Sequence, residues 1–146
     1  VGFRLYSIAH RDKAQKTFKF SVNYLGCELS KNMFSDTILE KQKRKIWSFY
    51  PDANKVLRQE LTFVDPHYQR QGIASHFIKL LNIDQLKKDG FAGIQSEASS
   101  HMNQKLLKKL GYKMLSESEQ SEYCRSNGSR IVFPDETKSV QLFFLS

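Results

Sequence analysis

Hydrophobic and polar residues alternate through the middle of the chain. Leu57, Gln59, Leu61 and Phe63 fall on one side of a period-two pattern, and Arg58, Glu60, Thr62 and Val64 fall on the other, which predicts a strand. Asp65-Pro66 stops it, because proline has no amide to give a ladder and restricts the residue before it. From Ile73 the period changes. Ala74, Phe77, Ile78 and Leu81 recur at three- and four-residue spacing, predicting one helix that runs to Asp89-Gly90, where glycine suits a left-handed C-terminal residue.

The same reading places a strand at 1–10 and a strand or irregular apolar segment at 17–25. Ser35 or Asp36 is a fair cap for a helix ending near Trp47, with Ile38, Leu39, Ile46 and Trp47 inward. Residues 50–54 form a turn into the central strand. Beyond Gly90 come a strand at 91–97 and a helix capped by Ser99 or Ser100, with Met102, Leu106 and Leu110 as its apolar stripe. A strand at 112–115, a polar loop at 116–121, a tight turn at Asn127-Gly128 and strands at 130–133 and 140–145 complete the chain. Strands alternating with helices predict a single α/β domain over 1–146.

Composition changes this picture little. Hydrophobic residues at 40% and charged residues at 26% suit a soluble domain, and no apolar run nears the roughly 20 residues needed to span a bilayer. The charge matters more. A net charge of +8 is open to three readings: a nucleic-acid partner, an anionic cofactor, or a solvated basic helix with no partner behind it. The densest cluster, Lys41-Gln42-Lys43-Arg44-Lys45, has no interleaved aromatic residues and reads as a wet helix face, which argues against nucleic acid. Cys27 and Cys124 lie far apart, and the histidines show no paired spacing, so the expectation is a reduced, cytoplasmic protein without a metal. The first residue is valine rather than methionine, which marks the chain as a processed product or a fragment.

The candidate chemistry lies where the central strand turns into its helix. The first amides of a helix have no partner within it, and the helix dipole adds partial positive charge there. Gly72 lets an anion approach the backbone, and Arg70 adds a formal charge, so a phosphate or pyrophosphate cradle is plausible.

Val64-Asp65-Pro66 followed by Tyr68-Gln69-Arg70-Gln71-Gly72-Ile73-Ala74 closely resembles the central motif of the GCN5-related N-acetyltransferases (GNAT), Gln/Arg-x-x-Gly-x-Gly/Ala. Leu106-Leu107-Lys108-Lys109-Leu110-Gly111-Tyr112 resembles that family's helix-closing segment, and the ends of the chain resemble the animal arylalkylamine N-acetyltransferase-like branch. The resemblance implies an α/β GNAT fold, a mixed, mostly antiparallel sheet flanked by helices, with acetyl-coenzyme A (acetyl-CoA) as cofactor and a small primary amine as acceptor. Alternatives are a protein or peptide acetyltransferase and a non-catalytic acyl-coenzyme A-binding module.

Residue by residue, the resemblance places the pantetheine arm against the backbone of Phe63 and Val64. The pyrophosphate falls to Gln69, Arg70, Gln71, Gly72, Ile73, Ala74 and Ser75, with His67 beside it. Glu60 is the candidate general base, pointing the same way as Val64, with Arg58 as its expected partner if it is merely ion-paired. The usual acid, a tyrosine four residues before the glycine, is Leu107 here, so Ser100 or Asn103 stands in. The family's first strand and two helices, and the strand after them, have no counterpart before residue 1. That implies a truncated chain with an open acceptor site, or one completed by another copy in a homodimer at the exposed sheet edge. Phe20, Tyr24, Phe34 and Trp47 are candidates to line an amine pocket.

Overall fold

A computed structural model describes residues 1–13, 40–119 and 137–146. The elements are β1 (Gly2–His10), α1 (Glu40–Phe49), β2 (Lys55–Val64), a 3-10 turn (Pro66–Tyr68), α2 (Ile73–Lys79), α3 (Ile83–Lys88), β3 (Ile94–Ala98), α4 (His101–Lys109), β4 (Lys113–Glu119) and β5 (Ser139–Leu145). These strands form a five-stranded sheet in the order β1-β2-β3-β5-β4. Among the described strands, only β2 and β3 pair in parallel, as expected for strands joined by a helical crossover. The expected segment at 17–25, the cap at Ser35 or Asp36, the pocket residues Phe20, Tyr24 and Phe34, both cysteines, the Asn127-Gly128 turn and the strand at 130–133 lie outside the described residues.

The sheet buries both faces. On one, Ile78 of α2, Leu107 of α4 and Tyr112 pack with Ile94, Ala98 and Phe143, and Leu81, Ile83 and Leu86 extend the cluster. On the other, Ile46 of α1 packs with Val56 and Phe144, flanked by Trp47, Tyr50 and Leu115. Arg11 fastens the turn before β2, donating to the carbonyls of Ala53 (2.9 Å) and Tyr50 (2.8 Å) while its guanidinium lies 5.5 Å from the Trp47 ring.

Four sequence expectations are corrected. The predicted long helix is two helices, because Asn82 adopts an extended conformation and its side chain caps α3 by accepting from the Gln85 amide at 3.0 Å. The stretch Ser116–Glu119, read as polar loop, belongs to β4. Ser118 is buried and accepts from Gln42, while the exposed Glu117 accepts from Gln141 of the neighbouring strand. On α4 Leu106 and Leu110 pack against the core as expected, but the most deeply buried residues are Gln104 and Leu107, and Met102 is exposed. The basic stretch of α1 is not a wet face throughout: Gln42 is fully buried, Lys43 pairs with Glu60, and Lys45 donates to Ser116 at 2.9 Å.

Leu107 thus sits in the core with no exposed surface. Leu107→Ala is expected to cost about 2–5 kcal/mol, read as a lower urea midpoint at an unchanged slope.

Candidate active site at the divergence of β2 and β3

Strand β2 spans ten residues but pairs with β3 only over Leu57–Gln59, against Ile94–Ser96. Its other edge stays paired with β1 from Lys55 to Val64, with one irregularity: Leu5 faces Leu61 while Tyr6 faces Gln59, leaving Glu60 as the extra residue of a β-bulge. The bulge comes directly after the last β2–β3 pair. Beyond it β2 leaves β3, and the chain enters the Asp65-Pro66 turn.

The bulge also reassigns side chains. In an unbroken strand Gln59 and Thr62 would lie on opposite faces, yet Gln59 Nε2 donates to Thr62 Oγ1 at 2.8 Å. Thr62 and Val64 therefore share the face of Gln59, and Glu60 lies on the α1 face. This overturns the expectation that Glu60 points with Val64. Its partner differs too. Lys43 of α1, not Arg58, pairs with Glu60 Oε2 at 3.0 Å, and Ser7 donates to its Oε1 at 2.5 Å.

The α1 face holds a residue that carries no motif in the sequence. Glu97 follows Ser96, the last β3 residue paired with β2, just as Glu60 follows Gln59. Gln95, fully buried, donates through Nε2 to Glu97 Oε1 at 2.5 Å and to the Lys43 carbonyl at 3.0 Å. Glu97 keeps partial exposure, but its carboxyl is desolvated. Burial pushes it up to about 7, against the opposing pull of Lys43 and Arg58 and with a small upward push from Glu60. In sequence it is one glutamate at the end of a short strand, and only the meeting of α1, β2 and β3 gives it this environment.

The opposite face carries a second polar cluster. Arg4 donates to Gln59, Ser96 Oγ donates to Gln59 Oε1 at 2.7 Å, and the Arg4 guanidinium lies 5.3 Å from the Tyr6 ring. The hydroxyls of Tyr6 and Tyr112 are buried and have no hydrogen-bond partner among the described residues. Burial pushes the Tyr112 hydroxyl up to about 12, so it stays protonated.

The expected phosphate loop is built by two left-handed residues. Gly72 has φ 82° and caps α2, and Arg70, with φ 66°, adopts a conformation that costs a non-glycine residue energy. The first backbone bond of α2 runs from the His76 amide to the Gly72 carbonyl at 2.9 Å, so the amides of Ile73, Ala74 and Ser75 precede the helical ladder. An ideal Cβ on Gly72 meets no atom within 4 Å, so the space beside the turn is open. Gln69 also ties the loop to the end of β2, its Nε2 donating to the Val64 carbonyl at 3.0 Å. Asp65 accepts from the His67 amide (2.9 Å) and lies 3.0 Å from the His67 ring nitrogen, contacts that hold its carboxyl below the ordinary range. Gln71 is exposed on this turn.

Ser100 caps α4, its hydroxyl accepting from the Asn103 amide at 3.3 Å. Ser100 and Asn103 therefore stand just past the carboxyl end of β3, the end at which it parts from β2. Phe63 packs on Phe3, ring centroids 5.6 Å apart. Among the described residues, no helix is long and apolar enough to cross a membrane.

No family model and no curated protein matches the chain. Solved structures do. Arylalkylamine N-acetyltransferase 2 from Aedes aegypti matches with TM-score 0.69 and 20% identity, over 99% of this chain and 66% of that one. A mosquito arylalkylamine N-acetyltransferase like 5b matches with TM-score 0.68 and 19% identity, over 99% and 68%. The Drosophila melanogaster polyamine N-acetyltransferase that forms N-acetylagmatine matches with TM-score 0.59 and 17% identity, over 73% and 52%. The chain thus spans about half to two thirds of the length of these structures. By these matches, this chain has the fold of the GCN5-related N-acetyltransferases.

Proposed function

We propose that the chain is an acetyl-CoA-dependent N-acetyltransferase acting on a small primary amine. One observation carries the reading: β2 parts from β3 at a bulge, and the chain leaving β2 then forms a turn that holds two left-handed residues. Parting strands admit the pantetheine arm beside Phe63 and Val64, and the turn presents the amides of Ile73, Ala74 and Ser75, with Arg70, to the pyrophosphate. Gln69 and Gln71 flank that anion, Gln69 holding the loop through Val64. Acetyl-CoA, when bound, supplies the activated acetyl group. The acceptors named for two of the similar structures, arylalkylamines and agmatine, share a primary amine, and that is the class proposed here.

Transfer needs a neutral amine and a proton for the leaving sulfur. The carboxylates of Glu60 and Glu97 stand at the parting of the strands and are the candidates to receive the amine proton. Ser100, whose hydroxyl already accepts from the Asn103 amide, keeps its own O–H to donate; it is the candidate donor near the sulfur, with Asn103 orienting it.

A second reading is favoured by Leu107. The position where a tyrosine acid would stand is an aliphatic core residue with no exposed surface, which suits a module that binds acyl-coenzyme A without turning it over. Calorimetric titration with acetyl-CoA, followed by tyramine, agmatine and a lysine peptide with thiol detection, separates the two. Micromolar binding with thiol release on tyramine or agmatine is the expected result. Binding without thiol release on any amine selects the module, and no binding removes both readings.

A further inference from the structure

Resting on the acetyltransferase reading, we propose that Glu97, rather than Glu60, takes the proton that the acceptor ammonium must lose, and that Glu60 and Lys43 act as positioning residues beside it. The two carboxylates occupy equivalent places on neighbouring strands, each one residue past the last β2–β3 pair, both on the α1 face. They differ in what holds them. Glu60 has both oxygens engaged: Oε1 accepts from Ser7 Oγ at 2.5 Å, and Oε2 from the Lys43 ammonium at 3.0 Å. Neither oxygen of Glu60 is left without a donor, so an incoming ammonium would have to displace Ser7 or Lys43 to reach it. Glu97 has one oxygen engaged, Oε1 with Gln95, and among the described residues its Oε2 accepts no hydrogen bond. Glu97 as a residue keeps partial exposure.

The charged groups facing Glu97 are Lys43 from α1 and Arg58 and Glu60 from β2. Lys43 links the two carboxylates: its ammonium is paired with Glu60, and its carbonyl accepts from Gln95, the side chain that orients Glu97. A carboxyl titrating near 7 is half ionised at neutral pH, where it has the largest useful capacity to accept and release a proton.

The step balances without another reactant. The acceptor ammonium passes one proton to Glu97 Oε2 and becomes a neutral amine. Its lone pair forms the C–N bond at the thioester carbonyl, the C–S bond breaks, and the nitrogen's surplus proton ends on the departing sulfur. Glu97 then releases its proton to solvent.

The test uses the full chain with Glu97→Gln, Glu97→Asp and Glu60→Gln, measuring acetyl-CoA affinity by calorimetry and kcat for tyramine from pH 5.5 to 9. In the wild type, kcat is expected to rise with pH through about 7 as Glu97 ionises. Glu97→Gln should bind acetyl-CoA with unchanged affinity, lose kcat by about 100-fold or more, and lose that limb. Glu60→Gln should keep the limb but move it to lower pH, because a negative charge that raised Glu97 is gone. A merely structural role would lower kcat equally at every pH. Should Glu97→Gln fail to fold, Glu97→Asp and Glu60→Gln carry the test: a pH limb in place in the first and displaced downward in the second supports the proposal. Glu97→Gln with kcat within threefold of wild type, or with the limb intact, overturns the role of Glu97 and leaves the acetyltransferase reading standing. A wild type that binds no acetyl-CoA overturns both.

Discussion

Gly93→Ala is expected to destabilise the protein by about 3 kcal/mol or more, a fall in melting temperature of about 6–12 °C for a domain of this size. An ideal Cβ at Gly93 would stand 2.3 Å from the Leu145 carbonyl oxygen and 2.5 Å from a ring carbon of Phe144. Neither neighbour can move cheaply. The Leu145 carbonyl is backbone at the end of β5, beside its register with Ile94, and Phe144 is a buried core ring that packs on Tyr50 with centroids 4.4 Å apart. Gly93 is fixed from its other side as well, its carbonyl accepting from the Leu57 amide at 3.0 Å, the bond that opens the parallel β2–β3 pair. Relief of the clash must therefore shift β3 against β5 or against β2. Thermal unfolding followed by circular dichroism checks the prediction. A melting temperature within 1 °C of wild type would show that β3 has slack the packing does not reveal.

How far the sequence foretells this structure depends on which force decides each part. The central strand, the turn after Pro66 and the cap at Ser100 are legible because local chemistry settles them: alternation, a missing amide, a hydroxyl before a helix. The break at Asn82 is there to be read as well, but four apolar residues in helical register mask a capping asparagine. The bulge is not legible, since Gln59, Glu60 and Leu61 continue an unbroken alternation and only pairing with β1 exposes the extra residue. The interior is also more polar than hydrophobic patterning assumes. Gln42, Gln59, Gln95, Gln104 and Gln141 are all buried. Gln104 donates to the carbonyls of Ala98 and Ser139 at 3.1 and 2.8 Å, bridging the two strands it lies over. Such residues read as surface in a sequence, and so does Glu97, whose raised titration is a product of three elements meeting.

Gly72→Val is expected to weaken acetyl-CoA binding by about 100-fold or more while leaving the fold in place, with a cost of about 1–3 kcal/mol for a branched residue held at a left-handed φ. Two separate effects act there. Gly72 has φ 82°, a conformation valine resists, so the turn would relax and carry the amides of Ile73, Ala74 and Ser75 out of alignment. The added side chain would also occupy the open space beside the turn, where the proposed pyrophosphate must lie. Gly72→Asn separates these effects, because asparagine tolerates the left-handed region while still filling the space. Its melting temperature should stay near that of the wild type, and its affinity for acetyl-CoA should fall almost as far as that of Gly72→Val. Desulfo-coenzyme A, which keeps the pyrophosphate and lacks the sulfur, should lose as much affinity as acetyl-CoA, since the defect lies at the phosphates. Full affinity in Gly72→Val would mean that this turn is not where the cofactor's phosphates sit. Full affinity in Gly72→Asn with loss in Gly72→Val would instead assign the effect to backbone alignment alone.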